Sequence, residues 1–470
     1  MHIPWFRRAR RQALTVTTAV ALLSAAAPSM AQADTSADPE VESYVLPLGS
    51  ATPSLEELQS ERGIDRLRDV AQNAEPVAQL PQETTGPAAS YAPLARQASQ
   101  STPVDSPSGP TPMIAAPEPA RAMTFDECKK GLGTTKKFYL KSRFAVCSGA
   151  SFVQTWIING RPTGASKFDV RVVGTIAKNS RTINFQYYFT DMTATGTAQV
   201  AALKIGTKGK IPQSWPSGVN YSRGGTMPGT KTFTELKALR TFSETVNAKP
   251  GQGSGGATDL VFAVYEPSIT ITPPPGVRLN GNLQGDLFML APRWDAAKYL
   301  ANSTGGGNPE KKGAATFSYV GTLTYSAKAG AEERAVAQHI KTAFTKPEDT
   351  KPYMSAKKVP GQTVKDPLHR TVNKTRRDDN RKASVKQCKR YWGANYTQGA
   401  TRECDEYPFA TTYEGGAEHD YDADAKKFNF SVKPIAKADN GAGGNLLLSF
   451  YAKNRIIDGM DDGFIVKIVS

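Results

Sequence analysis

The chain has 470 residues, enough for more than one folded unit, and 39% of them are hydrophobic, too few for a multi-spanning membrane protein. An aromatic share of 9% argues against a wholly disordered chain, and 58 Lys+Arg against 43 Asp+Glu leave a net charge of +15. That excess favours an anionic partner (nucleic acid, anionic lipid or wall polymer) without choosing among them.

The first 33 residues read as an export signal: Arg7, Arg8, Arg10 and Arg11 precede a small apolar run at 13–27, followed by the small-x-small pattern Ala31-Gln32-Ala33. The run is about 15 residues, shorter than a membrane span, so cleavage near Asp34 and general secretion are expected. No later stretch approaches 18 consecutive apolar residues. The mature chain is therefore expected to lack a transmembrane segment and to be extracellular or wall-associated.

Residues 34–121 are poor in core formers. One short amphipathic helix is predicted over 54–72, with Ser54 as its cap and Leu55, Leu58, Ile64, Leu67 and Val70 on one face. Ten prolines between Pro76 and Pro119 then punctuate a Ser/Ala/Gln-rich tract, which is expected to stay disordered as a linker or spacer.

From 122 to 345 the signal changes to strands. Runs at 168–173, 182–189, 260–265, 268–272, 286–290 and 315–325 are β-branched or aromatic and are separated by Gly, Pro and Asn clusters. They predict an all-β, sandwich-like middle domain. It carries no catalytic constellation. Trp156, Tyr187 and Trp294 could form a platform for a cell-wall or surface ligand, but core packing is the commoner fate of such residues.

The last part, 346–470, has an uneven charge. Residues 346–402 hold 15 Lys/Arg and five acids, whereas 403–424 hold eight acids and no Lys or Arg. A polyanionic backbone is gripped by Lys and Arg. Acids beside such a surface repel phosphate unless a divalent cation stands between them, and a cation with a carboxylate base is what diester hydrolysis needs. Secretion also permits disulfides. Cys128 and Cys147 lie close in sequence, as do Cys388 and Cys404, and an apparent domain separates the two couples, so the two local pairings are expected.

The segment ECDEYPFATTYEGG at 403–416 resembles the central motif of the NucA/NucB family of secreted bacterial deoxyribonucleases. Asn373-Lys374-Thr375-Arg376-Arg377 with Asn380-Arg381 resembles that family's arginine-rich element, and Asp439-Asn440-Gly441-Ala442-Gly443-Gly444 resembles its Asp-Asn turn leading into a helix. The resemblance covers about the last hundred residues. It implies a small α+β nuclease domain of the ββα-metal type at 346–470, acting on the DNA backbone with little sequence specificity. By position it makes Asp405 and Glu406 catalytic, and Arg376, Arg377, Arg381 and Asn380 substrate-binding. It sets Asp405, Glu414 and Asn440 around Mg²⁺ or Mn²⁺; the last helix departs from some relatives in having no acidic residue, so Asn445 or Asn454 would serve in that place, or the ligand comes from elsewhere. His369 and His419 are expected to be loop residues, and the last helix is expected at about 444–457. Two other readings stay open: a non-catalytic secreted surface or wall-binding module with a basic DNA-binding tail, and a secreted DNase toxin or effector.

Overall fold

The protein is described by a computed structural model covering residues 39–77, 114–133, 138–196, 198–254, 258–300 and 313–470. The expected export signal and most of the proline tract lie outside the described residues. Among those described, no helix is long and apolar enough to cross a membrane.

The first fifteen strands in chain order are β1 (Glu40–Pro47), β2 (Phe138–Ser142), β3 (Ala145–Ile158), β4 (Arg161–Ile176), β5 (Ile183–Gly196), β6 (Lys204–Trp215), β7 (Tyr221–Gly225), β8 (Gly229–Thr232), β9 (Thr241–Ala248), β10 (Val261–Thr272), β11 (Arg278–Gly281), β12 (Gln284–Asp286), β13 (Pro292–Asp295), β14 (Ala314–Phe317) and β15 (Gly321–Ser326). The last four are β16 (Leu368–His369), β17 (Arg402–Tyr407), β18 (Ser431–Ala436) and β19 (Gly463–Val469). Six helices accompany them among the described residues: α1 (Glu61–Asn73), α2 (Phe125–Leu132), α3 (Phe233–Leu239), α4 (Arg334–Thr345), α5 (Lys374–Trp392) and α6 (Lys437–Lys453).

Two sheets form the β-rich front. One runs β11-β1-β3-β4-β5-β9-β7, with β2 also on β3; the other runs β14-β13-β10-β6-β8, with β12 also on β10. Their inner faces share one apolar core. The period-two rule is visible along β5, where Ile183, Phe185, Tyr187 and Phe189 are buried and their neighbours less so. Phe185 stacks on Tyr265 of β10 with ring centroids 3.7 Å apart. In β3 the burial is nearly continuous, because the outer face is covered too. Leu58 and Leu67 pack there on Val153 and Ala165, and α2, bonded to β3 through Cys128–Cys147, covers another part.

The structure departs from the sequence reading at several points. Residues 40–47 form β1, which pairs antiparallel with β3 and parallel with β11. Eight residues with Val41 and Leu46 buried suffice for a strand when the partner strand supplies the rest of the core. The helix expected at 54–72 begins later: Ser60 caps α1 by accepting from Gly63 N, while Ser54 Oγ accepts from Glu57 N, the first residue of a short 3₁₀ turn at Glu57–Gln59. Residues 261–272 form the single strand β10, and 287–290 are irregular although buried. Trp156, Tyr187 and Trp294 are at most 1% exposed. They are core, the fate expected as the commoner one, and so form no ligand platform.

The domain boundary also moves. β15 pairs in parallel with β19, the last strand of the chain. Leu323, Tyr325, Val336, Ile340 and Ala343 share a core with Tyr407, Phe450 and Phe464. The C-terminal unit thus starts near Gly321, not 346, and takes in α4. It joins the front through a buried ion network. Asp462 bonds Arg293 at 2.8 Å and Arg143 at 2.5 Å, and Asp295 bonds Arg455 at 2.6 Å.

Candidate active site

β17 and β18 form a two-stranded antiparallel sheet with Asp405 opposite Lys433 and Tyr407 opposite Ser431. Successive side chains of β17 alternate between its faces. Glu403, Asp405 and Tyr407 turn towards α4 and α6, where Glu403 accepts from Asn440 Nδ2 at 2.8 Å and Tyr407 meets Phe344 edge-on at 5.2 Å. Cys404 and Glu406 turn towards α5, where Cys404 is bonded to Cys388 and Arg381 lies close to Glu406.

Asp405 does not stand alone. Its Oδ2 lies 2.6 Å from Nδ1 of His339 on α4, and the other ring nitrogen, Nε2, lies 2.6 Å from Ser431 Oγ on β18. All three residues are buried. A carboxylate only accepts, so Nδ1 carries the proton, and in the neutral ring Nε2 accepts from the serine hydroxyl. The pair fixes one carboxylate oxygen of Asp405, a residue that also lines a cavity. His339 was not singled out in the sequence. It sits on the apolar face of α4 with Val336, Ile340 and Ala343, in a stretch that composition assigned to the sandwich.

The cavity measures about 250 Å³ and is lined by Glu403, Asp405, Glu406, Asn440, Arg377 and Arg381 over an apolar floor. It brings the acid pair, the asparagine and two of the expected arginines to one place. Burial pushes the Glu406 carboxyl up to about 7, opposed by the Arg381 guanidinium and reinforced by Asp405. One wall is the glycine-bearing face of α6. At Gly443 a Cβ would lie 2.8 Å from Val336 Cγ2, so glycine there is what lets α4 and α6 approach closely. At Gly444 a Cβ would meet nothing within 4 Å.

α5 supplies the basic wall. Asn373 caps it by accepting from Arg376 N at 3.0 Å, Lys389 and Arg390 occupy its last turn, and Gly393 follows with φ +83°. Arg377 and Arg381, four apart, share one face and reach the cavity. Asn380 does not. It is fully buried and donates to the carbonyls of Ala410 and Thr412 at 3.0 and 2.9 Å while accepting from Ala417 N at 3.0 Å. With its amide spent on the 410–417 loop, it is a clamp on the motif rather than a substrate contact.

Other expected site residues are also elsewhere. Arg376 donates to Tyr413 O at 2.6 Å and lies over the Tyr413 and Tyr421 rings, outside the cavity lining. Glu414 binds His369 instead, accepting from its backbone N at 3.0 Å and lying 2.7 Å from Nδ1. His419 pairs with Asp420 at 3.1 Å. Asn454 caps the far end of α6, about 20 Å along the axis from Asn440, and its backbone carbonyl accepts from Arg143 at 2.9 Å. The last helix starts at Lys437, so Asn440 stands within its first turns rather than on a preceding loop.

Among the described residues no three His, Cys, Asp or Glu side chains are grouped to hold a metal ion. The cavity is lined by the carboxylate residues Asp405 and Glu406 and by Asn440, whose amide nitrogen is the atom engaged by Glu403. One or two carboxylates with water completing the shell is the usual Mg²⁺ arrangement, so the donor set fits such an ion and does not fit an enclosed protein cage.

No curated protein and no solved structure matches the chain. Residues 354–466 match the family model described as Deoxyribonuclease NucA/NucB, a segment that contains β17, α5, α6 and each charged residue of the cavity. The C-terminal part of this chain is therefore a NucA/NucB-family domain.

Proposed function

We propose that this protein is a secreted, divalent-metal-dependent endonuclease that hydrolyses DNA phosphodiester bonds with little sequence preference. The observation that carries the reading is the meeting of Asp405, Glu406 and Asn440 with Arg377 and Arg381 in one cavity, inside the family-matched segment.

Arg377 and Arg381 hold the phosphate and place its phosphorus over the acid pair. Asp405, oriented by His339, and Asn440 would hold Mg²⁺ or Mn²⁺, which when bound supplies charge neutralisation at the phosphate oxygens. Glu406, held near about 7, takes a proton from the attacking water. The new bond is phosphorus to water oxygen, the broken one is phosphorus to sugar oxygen, and the departing oxygen is protonated by solvent. The electrostatic grip on phosphate accounts for low base specificity. An export signal and two disulfides fit an oxidising exterior.

The test is supercoiled plasmid incubated with the oxidised full-length protein in Mg²⁺, Mn²⁺ or EDTA. Nicking and linearisation with a divalent ion and none in EDTA is the expected result. Intact plasmid under every ion would overturn the enzymatic reading, and retained DNA binding would then favour the adhesive one.

A further inference from the structure

The nuclease reading uses the first half of α5 and leaves its far end unexplained. The helix carries eight Lys/Arg against two Asp and ends on Tyr391 and Trp392. Those two side chains and Tyr353 are 36%, 43% and 62% exposed, and they lie together. The Tyr391 and Trp392 ring centroids are 6.1 Å apart at 66°, and the Tyr353 backbone N–H donates to the Tyr391 hydroxyl at 3.4 Å. Lys351 Nζ and the Arg390 guanidinium lie 5.6 and 5.7 Å from the Tyr391 ring centre. Three neighbouring aromatic residues that each keep more than a third of their surface in water form an exposed apolar patch that packing alone does not account for. Rings ringed by cations are what a nucleic-acid strand meets: bases stack on the faces while phosphates follow the charges.

The position relative to the cavity adds to this. Eleven residues at 100° each bring Trp392 back to within about 20° of the direction of Arg381, about 16 Å further along the helix. A strand stacked at about 3.4 Å per nucleotide covers that span in about five nucleotides, and a more extended unpaired strand covers it in fewer. A duplex keeps its base faces stacked internally, so only an unpaired strand can use such a surface.

We propose that Tyr353, Tyr391 and Trp392 form a stacking platform for unpaired bases, within about five nucleotides of the scissile phosphate, and that single-stranded or locally opened DNA is the preferred substrate. The proposal rests on the nuclease reading for where cleavage occurs. The test measures binding of labelled dT3, dT12, an abasic 12-mer and a 12-bp duplex to the oxidised full-length protein in EDTA, beside plasmid cleavage in Mg²⁺ or Mn²⁺. Y391A/W392A should weaken dT12 binding at least tenfold and leave dT3, the abasic strand and the duplex within about twofold. Trp392→Phe should bind dT12 as the wild type does. Should the double variant lose its melting transition, Trp392→Ala alone carries the same expectation at about tenfold. Unchanged dT12 affinity in a folded variant overturns the platform, as does an equal loss for the abasic strand. If the wild type leaves plasmid intact yet dT12 binding depends on Trp392, the nuclease reading fails and the platform stands.

Discussion

At the scale of single residues the site turns on one carboxylate held from behind. His339 spends both ring nitrogens inside the protein, on Asp405 and Ser431, so it is a positioning residue rather than a proton carrier at the phosphate. Asp405→Asn should slow plasmid cleavage at least about 100-fold with little change in melting temperature. His339→Gln should lower kcat by about 10- to 100-fold while KM for DNA stays near wild type; a raised KM with unchanged kcat would contradict the positioning role. Glu406 gives a pH signature. Its carboxyl is raised to about 7, so below that pH it carries a proton and cannot accept another. Cleavage should fall as pH drops through this region, and Glu406→Gln should lose that limb along with most activity. A bound cation shifts the limb to lower pH without removing it. Asp405 and Glu406 were legible in the sequence because they are adjacent within a local motif. His339 was not, because it lies 66 residues upstream of its partner, and a histidine on an apolar helix face looks like core until the fold shows what it touches.

At the scale of elements, α5 and β17 act as one part. Cys388–Cys404 ties the basic helix to the strand one residue before Asp405 and closes a loop with a sequence separation of 16. Loop-closure entropy makes such a bridge worth about 3 kcal/mol, so selective reduction should lower the melting temperature and loosen the arginine–carboxylate spacing, reducing cleavage with it. Asn380 makes the same junction from the other side. Asn380→Ala removes three hydrogen bonds to the 410–417 loop and should cost about 2–4 kcal/mol by urea unfolding, while DNA affinity of the folded variant stays unchanged. A large affinity loss without loss of stability would return Asn380 to the substrate. Both local cysteine pairings could be read from sequence spacing, since nearby cysteines close short loops. The turn of Asn380 and Arg376 to the 410–417 loop could not, because only the fold shows which face of α5 meets that loop and which, carrying Arg377 and Arg381, meets the cavity.

At the scale of the whole molecule, the β-rich front and the C-terminal unit are joined by charge rather than by a linker. Asp462 lies between Arg143 and Arg293 with none of the three more than 3% exposed, and Asp295 holds Arg455 on the same junction. The composition of residues 346–470 suggested a separable domain because its charge blocks begin there, but pairing in the three-stranded sheet is set by β15, which precedes that point. A fragment of residues 346–470 lacks β15 and α4, and with α4 it lacks His339. It should therefore be poorly folded by circular dichroism and inactive on plasmid, whereas the full-length protein should cleave it. Burial opposes ionisation of Asp462, but the two guanidiniums outweigh it and hold its carboxyl below the ordinary 3.8. Its contribution to stability is thus complete above about pH 4 and lost as pH falls through the depressed value. Asp462→Asn leaves two buried cations without their counter-charge and should cost about 3–5 kcal/mol at neutral pH, with a correspondingly weaker acid dependence in calorimetry below pH 4. Equal melting temperatures for Asp462→Asn and wild type at pH 7 would show that the junction does not hold the two units together, and would make the front a passive carrier of the nuclease.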